Sequence, residues 1–94
     1  MSIGILTLHL YLPGCSSLKE KRSRIKPLIH RLHREFNISV AEVDHQDKWK
    51  DAVIACALVS NENAHIHRSF LEIVHWIETS WQDVNVVEEN IEIV

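Results

Sequence analysis

Ninety-four residues, 46% hydrophobic and 24% charged, are enough for one globular domain and too few for two independent cores. No run approaches the roughly 20 apolar residues of a membrane-spanning helix, and the N-terminal residues lack the basic start of a signal peptide. Cys15 and Cys56 lie far apart without a CxxC pattern, which favours free thiols in a cytoplasmic protein. We therefore expect residues 1–94 to form a single cytoplasmic domain with no metal and no cofactor.

The net charge of −3 hides an uneven distribution of charge along the chain. Residues 17–36 contain seven Lys and Arg residues against two acids, so this segment carries about +5 and the remainder about −8. A positive field of this kind attracts phosphate groups and releases counterions when it binds them. The basic residues predicted to contact nucleic acid are Lys19, Lys21, Arg22, Arg24, Lys26, Arg31 and Arg34.

The first predicted element is a strand over residues 3–12. Every second residue from Leu6 to Leu12 is a leucine, whereas Ile5 and His9 belong to the other face. A Pro-Gly pair follows and ends the strand, because proline cannot donate to a ladder and glycine turns freely. One face of this strand is therefore expected to be fully buried.

A basic helix is predicted next. Ser17 and Glu20 have the spacing of a capping box, and apolar residues then recur at helical intervals. Pro27 lies inside the pattern and removes one helical hydrogen bond, so we expect a kink over residues 23–26. Asn37 is expected to end the helix in the left-handed conformation.

Residues 38–44 and 49–60 are predicted to be strands joined by a short polar connection. The second of these strands is apolar on both faces, which is typical of a strand that is covered on both sides. Helices cover only one face of a two-layer sandwich, so the other face is expected to meet a second copy of the chain. The predicted interface residues are Ile5, His9, Val53, Ala55 and Ala57.

The remaining residues predict a second helix and a final strand. Ser60 or Asn61 would cap the helix, and residues 83–94 would form a strand whose acidic run at 88–90 indicates an edge position or a bulge. The order strand, helix, strand, strand, helix, strand predicts an α+β fold. It is the ferredoxin-like βαββαβ sandwich, a four-stranded antiparallel sheet with two helices on one face.

Two longer motifs carry a family resemblance. The first is Leu12-Pro13-Gly14 followed by the sequence SLKEKR at 17–22, and the second is FNISVAEVDHQD at 36–47 followed by Trp49. Their residues and spacing resemble the YlxP-like family of uncharacterised bacterial proteins, although Pro27 stands where that family has a helix former. The resemblance implies a ferredoxin-like fold, a bacterial cytoplasmic setting and no established activity. Members of that family are often encoded beside translation initiation and ribosome maturation factors, which implies work on RNA or the ribosome.

A polar loop site is a further candidate. Asp44, His45 and Asp47 together offer two carboxylates and an imidazole, which in other settings hold a metal or move a proton. Turns select the same residue types for their own backbone hydrogen bonds, and no second ligand cluster supports a metal here. No nucleotide-binding or hydrolase motif is present, so we expect no enzyme.

Two functions stay open at this point. The first is a dimeric binding module that contacts RNA or a ribosomal particle through its basic helix. The second is a structural or regulatory dimer that binds protein and no nucleic acid. An RRM-like mode is not expected, because the predicted central strands lack the aromatic residues on which bases stack.

Overall fold

The order of elements in the computed structural model, which describes residues 1–94, is the predicted one. The four strands form a single antiparallel sheet in the order β2-β3-β1-β4, with both helices packed against one face. The α+β ferredoxin-like fold predicted from the sequence is therefore confirmed. The elements are β1 (Ser2–Tyr11), α1 (Leu18–Glu35), β2 (Ser39–Asp44), β3 (Asp51–Ser60), α2 (Asn63–Ser80) and β4 (Asn85–Ile93).

The core lies between the sheet and the two helices. In β1 the alternate leucines are fully buried beneath the helices, and the alternate residues of β3 from Ala52 to Leu58 are buried beside them. The opposite faces of both strands carry half-buried residues, as the alternation predicts. The sheet therefore has one covered face and one open face. Neither helix is long and apolar enough to cross a membrane.

Helix α1 begins as predicted but ends differently. The hydroxyl of Ser17 accepts a hydrogen bond from the N–H of Glu20 at 3.0 Å, while the Glu20 carboxylate accepts from Ser16 instead of completing the capping box. The helix is continuous through Pro27. The prediction of a left-handed Asn37 is wrong, because the chain already turns into extended backbone at the preceding residue, whose φ is −131°.

The boundaries of the later elements also shift from their predicted positions. Strand β3 begins at Asp51 because the two residues before it form a bend, and helix α2 begins after Glu62. Neither Ser60 nor Asn61 is the capping residue, although the Ser60 hydroxyl accepts the N–H of Glu62 at 3.1 Å. Strand β4 lies at the sheet edge, as predicted, and its register with β1 slips at Val87, one residue before the acidic run.

Both cysteines are buried with free thiols. Cys56 lies in the middle of β3 on the covered face, where burial raises the pKa of its thiol to about 12. A thiol with so high a pKa remains protonated at neutral pH and is a poor nucleophile or metal ligand. Its place in the fold is that of a small apolar side chain in the core.

Helix α2 lies very close to β1 at Gly4. A methyl group at this position would overlap the side chain of Ile66 and lie 2.9 Å from a ring carbon of Phe70. Both side chains are fully buried and belong to the apolar stripe of α2. The glycine is therefore required by the distance between helix and sheet.

We predict that Gly4→Ala lowers the free energy of unfolding by about 1–3 kcal/mol, because the added methyl group overpacks the core. Urea unfolding measures the change. The control is Ser2→Ala on the same face of β1, where we expect little effect. If the midpoint for Gly4→Ala equals that of the wild type, α2 does not pack this closely on β1.

Candidate functional site

Lys21 is the most deeply buried charged residue of the protein. Its side chain is 1% exposed, and its Nζ donates hydrogen bonds to the carbonyl oxygens of His45 at 2.5 Å and Lys48 at 2.8 Å. The carboxylate of Glu42 completes the set, at 2.9 Å from Nζ. Lys21 therefore ties the first turns of α1 to the end of β2 and the connection after it. The prediction that Lys21 contacts RNA is therefore wrong, because an ammonium group enclosed in this way cannot reach a ligand.

The polar loop site is part of the same arrangement. His45 has a φ of 60°, and its carbonyl oxygen accepts hydrogen bonds from both Lys21 and the N–H of Lys48. Its own N–H donates to the carboxylate of Asp44 at 2.8 Å. Asp47 is exposed and makes no hydrogen bond with this pair. The three predicted residues do not converge, and no group of three or more His, Cys, Asp or Glu side chains is placed to hold a metal ion.

A histidine pair lies where this loop meets the open face of the sheet. His9 Nε2 is 2.8 Å from a carboxylate oxygen of Asp51, and its ring meets the ring of His45 edge to face at 5.5 Å. The sequence analysis did not identify Asp51 as a partner of His9. The two residues meet because His9 is opposite Val53 in the β1–β3 register, and Asp51 lies two residues from Val53 on the same face. A histidine and an aspartate on the same face of paired strands would have been the signal.

The prediction that Arg24 contacts RNA is also wrong, because its guanidinium group is bound within the chain. Its side chain is 16% exposed, and its guanidinium group donates to the carbonyl oxygens of Pro13, at 2.9 Å, and Asp83. The carboxylates of Glu20 and Asp83 lie 3.5 and 3.6 Å from it. Arg24 thus joins α1 to the loops that follow β1 and precede β4.

Apart from Arg31, the other basic residues of α1 form one exposed surface, which we call the cationic ridge. At 100° per residue they cover about 120° of the helix surface, outside the arc of its buried residues, and the ridge is about 22 Å long. No acidic residue lies between them, and none of the lysines or arginines in it forms an ion pair within the chain. The ridge consists of Lys19, Arg22, Lys26, His30, His33 and Arg34.

Arg31 lies on the flank of the ridge that faces α2. Its guanidinium carbon is 5.7 Å from the ring centre of Trp76, and its only ion pair is with Glu35, at 3.3 Å on the surface. Trp76 in turn contacts Phe36 edge to face and lies 6.0 Å from the ring of Trp81. These aromatic side chains form a cluster between the two helices, with Arg31 as its outer member.

The predicted dimer residues lie on the open face of the sheet. A shallow groove of about 320 Å³ runs across β2, β3 and β1, and it is almost entirely apolar. Glu88 and Glu92 of β4 stand opposite His9 and Ile5, so one side of the face is acidic. On this face the groove is lined by Ile5, Ser39, Ala41, Val43, Ala55 and Ala57, and Val53 lies beside it, opposite His9.

The fold and its surfaces define a small ferredoxin-like α+β protein that presents a basic helix and an apolar sheet face. Residues 3–91 match the family described as "Protein of unknown function (DUF503)", and the chain belongs to this family. It is 27% identical to the uncharacterized protein YlxP of Bacillus subtilis (strain 168) over 77 residues, which are 82% of this chain and 84% of that protein. The YlxP-like resemblance predicted from the two motifs is confirmed.

Lys21 connects the two motifs in the folded protein. The first motif supplies the buried ammonium group, and the second supplies the carboxylate of Glu42 and the carbonyl of His45 that receive it. Each motif supplies only one half of this contact. Without the other half a buried charge would be unpaired, which is strongly destabilising. A structural contact therefore joins the two motifs.

We predict that Lys21→Met lowers the free energy of unfolding by about 3 kcal/mol, because it leaves Glu42 without its buried partner and removes one hydrogen bond from each of two carbonyl oxygens. Lys19→Met is the matched control, since the same change on the exposed side of the helix should cost less than about 0.5 kcal/mol. Urea unfolding followed by far-UV circular dichroism measures both. Equal midpoints for the two variants would contradict the proposed role of Lys21.

Proposed function

We propose that this protein is an RNA-binding module that holds the phosphate backbone of RNA on the cationic ridge. The observation that carries the proposal is the arrangement of Lys19, Arg22, Lys26 and Arg34, which are exposed, aligned on one side of α1 and unpaired. Four permanent cations on one side of a helix of this length form a surface to which a polyanion binds by releasing counterions. The setting that the family resemblance implies, translation and the ribosome, agrees with RNA as the ligand.

The distribution of the remaining charge supports the same ligand. Outside residues 17–36 the chain carries about −8, so a polyanion is repelled from the other surfaces. Three acids of β4, Glu88, Glu89 and Glu92, lie at the edge of the sheet, away from the ridge. The protein therefore has one side to which RNA is attracted, and this side is α1.

Recognition on the ridge would depend on the backbone and little on sequence. Lysine and arginine side chains at phosphates fix position and carry no sequence information by themselves. The open face of the sheet offers Ile5, Val53, Ala55 and Ala57 where an RRM would have stacking aromatic residues. We therefore propose binding that is sensitive to salt and tolerant of sequence.

We further propose that the open face of the sheet binds a second copy of the chain. The apolar groove lies over β2 and β3 on this face, where small side chains such as Ala55 and Ala57 leave room for larger ones from a partner. With four strands of up to ten residues, the open face of the sheet has an area of about 600 Å² in each copy. A symmetric pair would bury about 1,200 Å², the lower limit of a stable specific interface. Both copies would then keep their ridges on the outer surface.

We predict that wild-type protein binds a labelled single-stranded RNA with a plot of log K against log salt of slope about −3, from four phosphate contacts. Reversal of three ridge charges in Lys19→Glu/Arg22→Glu/Lys26→Glu should weaken binding at least tenfold. Fluorescence anisotropy between about 50 and 200 mM salt measures both quantities. Proteins that make more phosphate contacts lose about 10³-fold in affinity over this range.

The chain offers a matched control for this experiment. Lys48→Glu/Lys50→Glu/Arg68→Glu changes the net charge by the same amount but leaves the ridge intact. If both triple variants lose affinity equally, net charge and not the ridge governs binding. If the wild type does not bind RNA at the lowest salt, the proposal is wrong and the protein-binding dimer is the remaining function.

We predict that Ala55→Glu makes the protein monomeric, because it places a charge in the centre of the proposed interface. Sedimentation equilibrium measures the mass, with circular dichroism to verify that the fold is retained. Ala64→Glu, which adds the same charge on an exposed position of α2, should leave the dimer intact. A wild-type protein that sediments as a monomer would exclude the dimer.

A further inference from the structure

Arg31 occupies the position at which the cationic ridge meets the aromatic cluster. It lies one turn before Arg34 on α1, so a phosphate backbone on the ridge would pass beside it. Its side chain is 45% exposed although its guanidinium group lies over the ring of Trp76. One side of this group is therefore supported by an aromatic ring, and the other remains open to solvent.

The support beneath Arg31 is itself fixed in place. Trp76 is partly buried, with the edge of Phe36 against it and the ring of Trp81 tilted by 31° at 6.0 Å. A guanidinium group above a held indole ring is restrained by the cation–π attraction as well as by the helix. It therefore loses little conformational freedom when a ligand is placed on its open side.

The ion pair with Glu35 does not account for this arrangement. The two side chains are both nearly half exposed, and an exposed pair one helical turn apart contributes only about 0.3–0.5 kcal/mol. A lysine would form the same pair and add the same charge to the ridge. What arginine adds is a planar group that stacks on the indole below it and on another flat group above it.

We infer that the RNA bound on the ridge is single-stranded and that one of its bases stacks on the open side of Arg31. The inference rests on the proposed RNA binding and names the class of RNA. Bases of a duplex are already stacked on their neighbours, whereas bases of a single strand are free to stack on aromatic rings or arginine planes. The Arg31–Trp76 pair supplies, on the helix side of the protein, the stacking surface that the open face of the sheet lacks.

The test compares two RNA strands that carry the same number of phosphates. One is a labelled 12-nucleotide oligouridylate, and the other is an abasic strand of equal length. Wild-type protein should bind the oligouridylate at least about fivefold more tightly, because stacking of a single base contributes a factor of this size or more. Arg31→Lys should bind the two strands equally while the salt dependence stays that of the wild type.

The possible results separate this inference from the proposal on which it rests. If the wild type binds neither strand, the proposed RNA binding fails and the inference fails with it. If the wild type binds both strands equally, the ridge binds phosphates but no base stacks, and only the inference is overturned. If Arg31→Lys keeps the preference for oligouridylate, a base stacks elsewhere and Arg31 is not its platform.

Discussion

The arrangement of this protein depends on a single buried ammonium group. Lys21 donates hydrogen bonds to two carbonyl oxygens after β2 and forms an ion pair with one carboxylate in β2. A buried charge is tolerated only when such partners are complete, so the loop and the helix must meet in one geometry. The contact helps to fix the rotation of α1 about its axis. Because of that rotation, Lys19, Arg22 and Lys26 face away from the sheet.

Much of the fold follows from patterns that are local in the sequence. The alternating leucines of β1, the two apolar faces of β3 and the apolar stripe of α2 predict these three elements, because period 2 and period 3.6 indicate which residues are buried. The end of α1 is different. Asparagine is a residue type that commonly ends helices, which is why Asn37 was predicted to do so. The helix ends one residue earlier, where Phe36 packs against Trp76. That contact lies between residues far apart in the sequence.

The candidate site could be predicted only in part, for the same reason. Charge counting found the basic helix but did not distinguish its exposed members from Lys21 and Arg24, whose partners lie on other elements. A signal for Lys21 was present, since it shares one helical face with the buried Ile25, Leu28 and Leu32. Nothing comparable indicates Arg24, whose acceptors include a carbonyl in the loop before β4. Structure was needed to reduce the basic set to a surface.

The position of β1 in the centre of the sheet has a consequence for how the chain folds. Leu6 pairs with Cys56 on one side and with Ile91 on the other, so both edges of β1 are closed by residues about 50 and 85 positions away. Closing such long loops costs entropy before any contact repays it, which places these pairings late. Until β4 joins, β1 keeps an unpaired apolar edge, the feature that makes folding intermediates aggregate. Once β4 has joined, it is the edge strand on this side of the sheet and carries acidic side chains. Repulsion between the acids of two molecules discourages their edges from pairing.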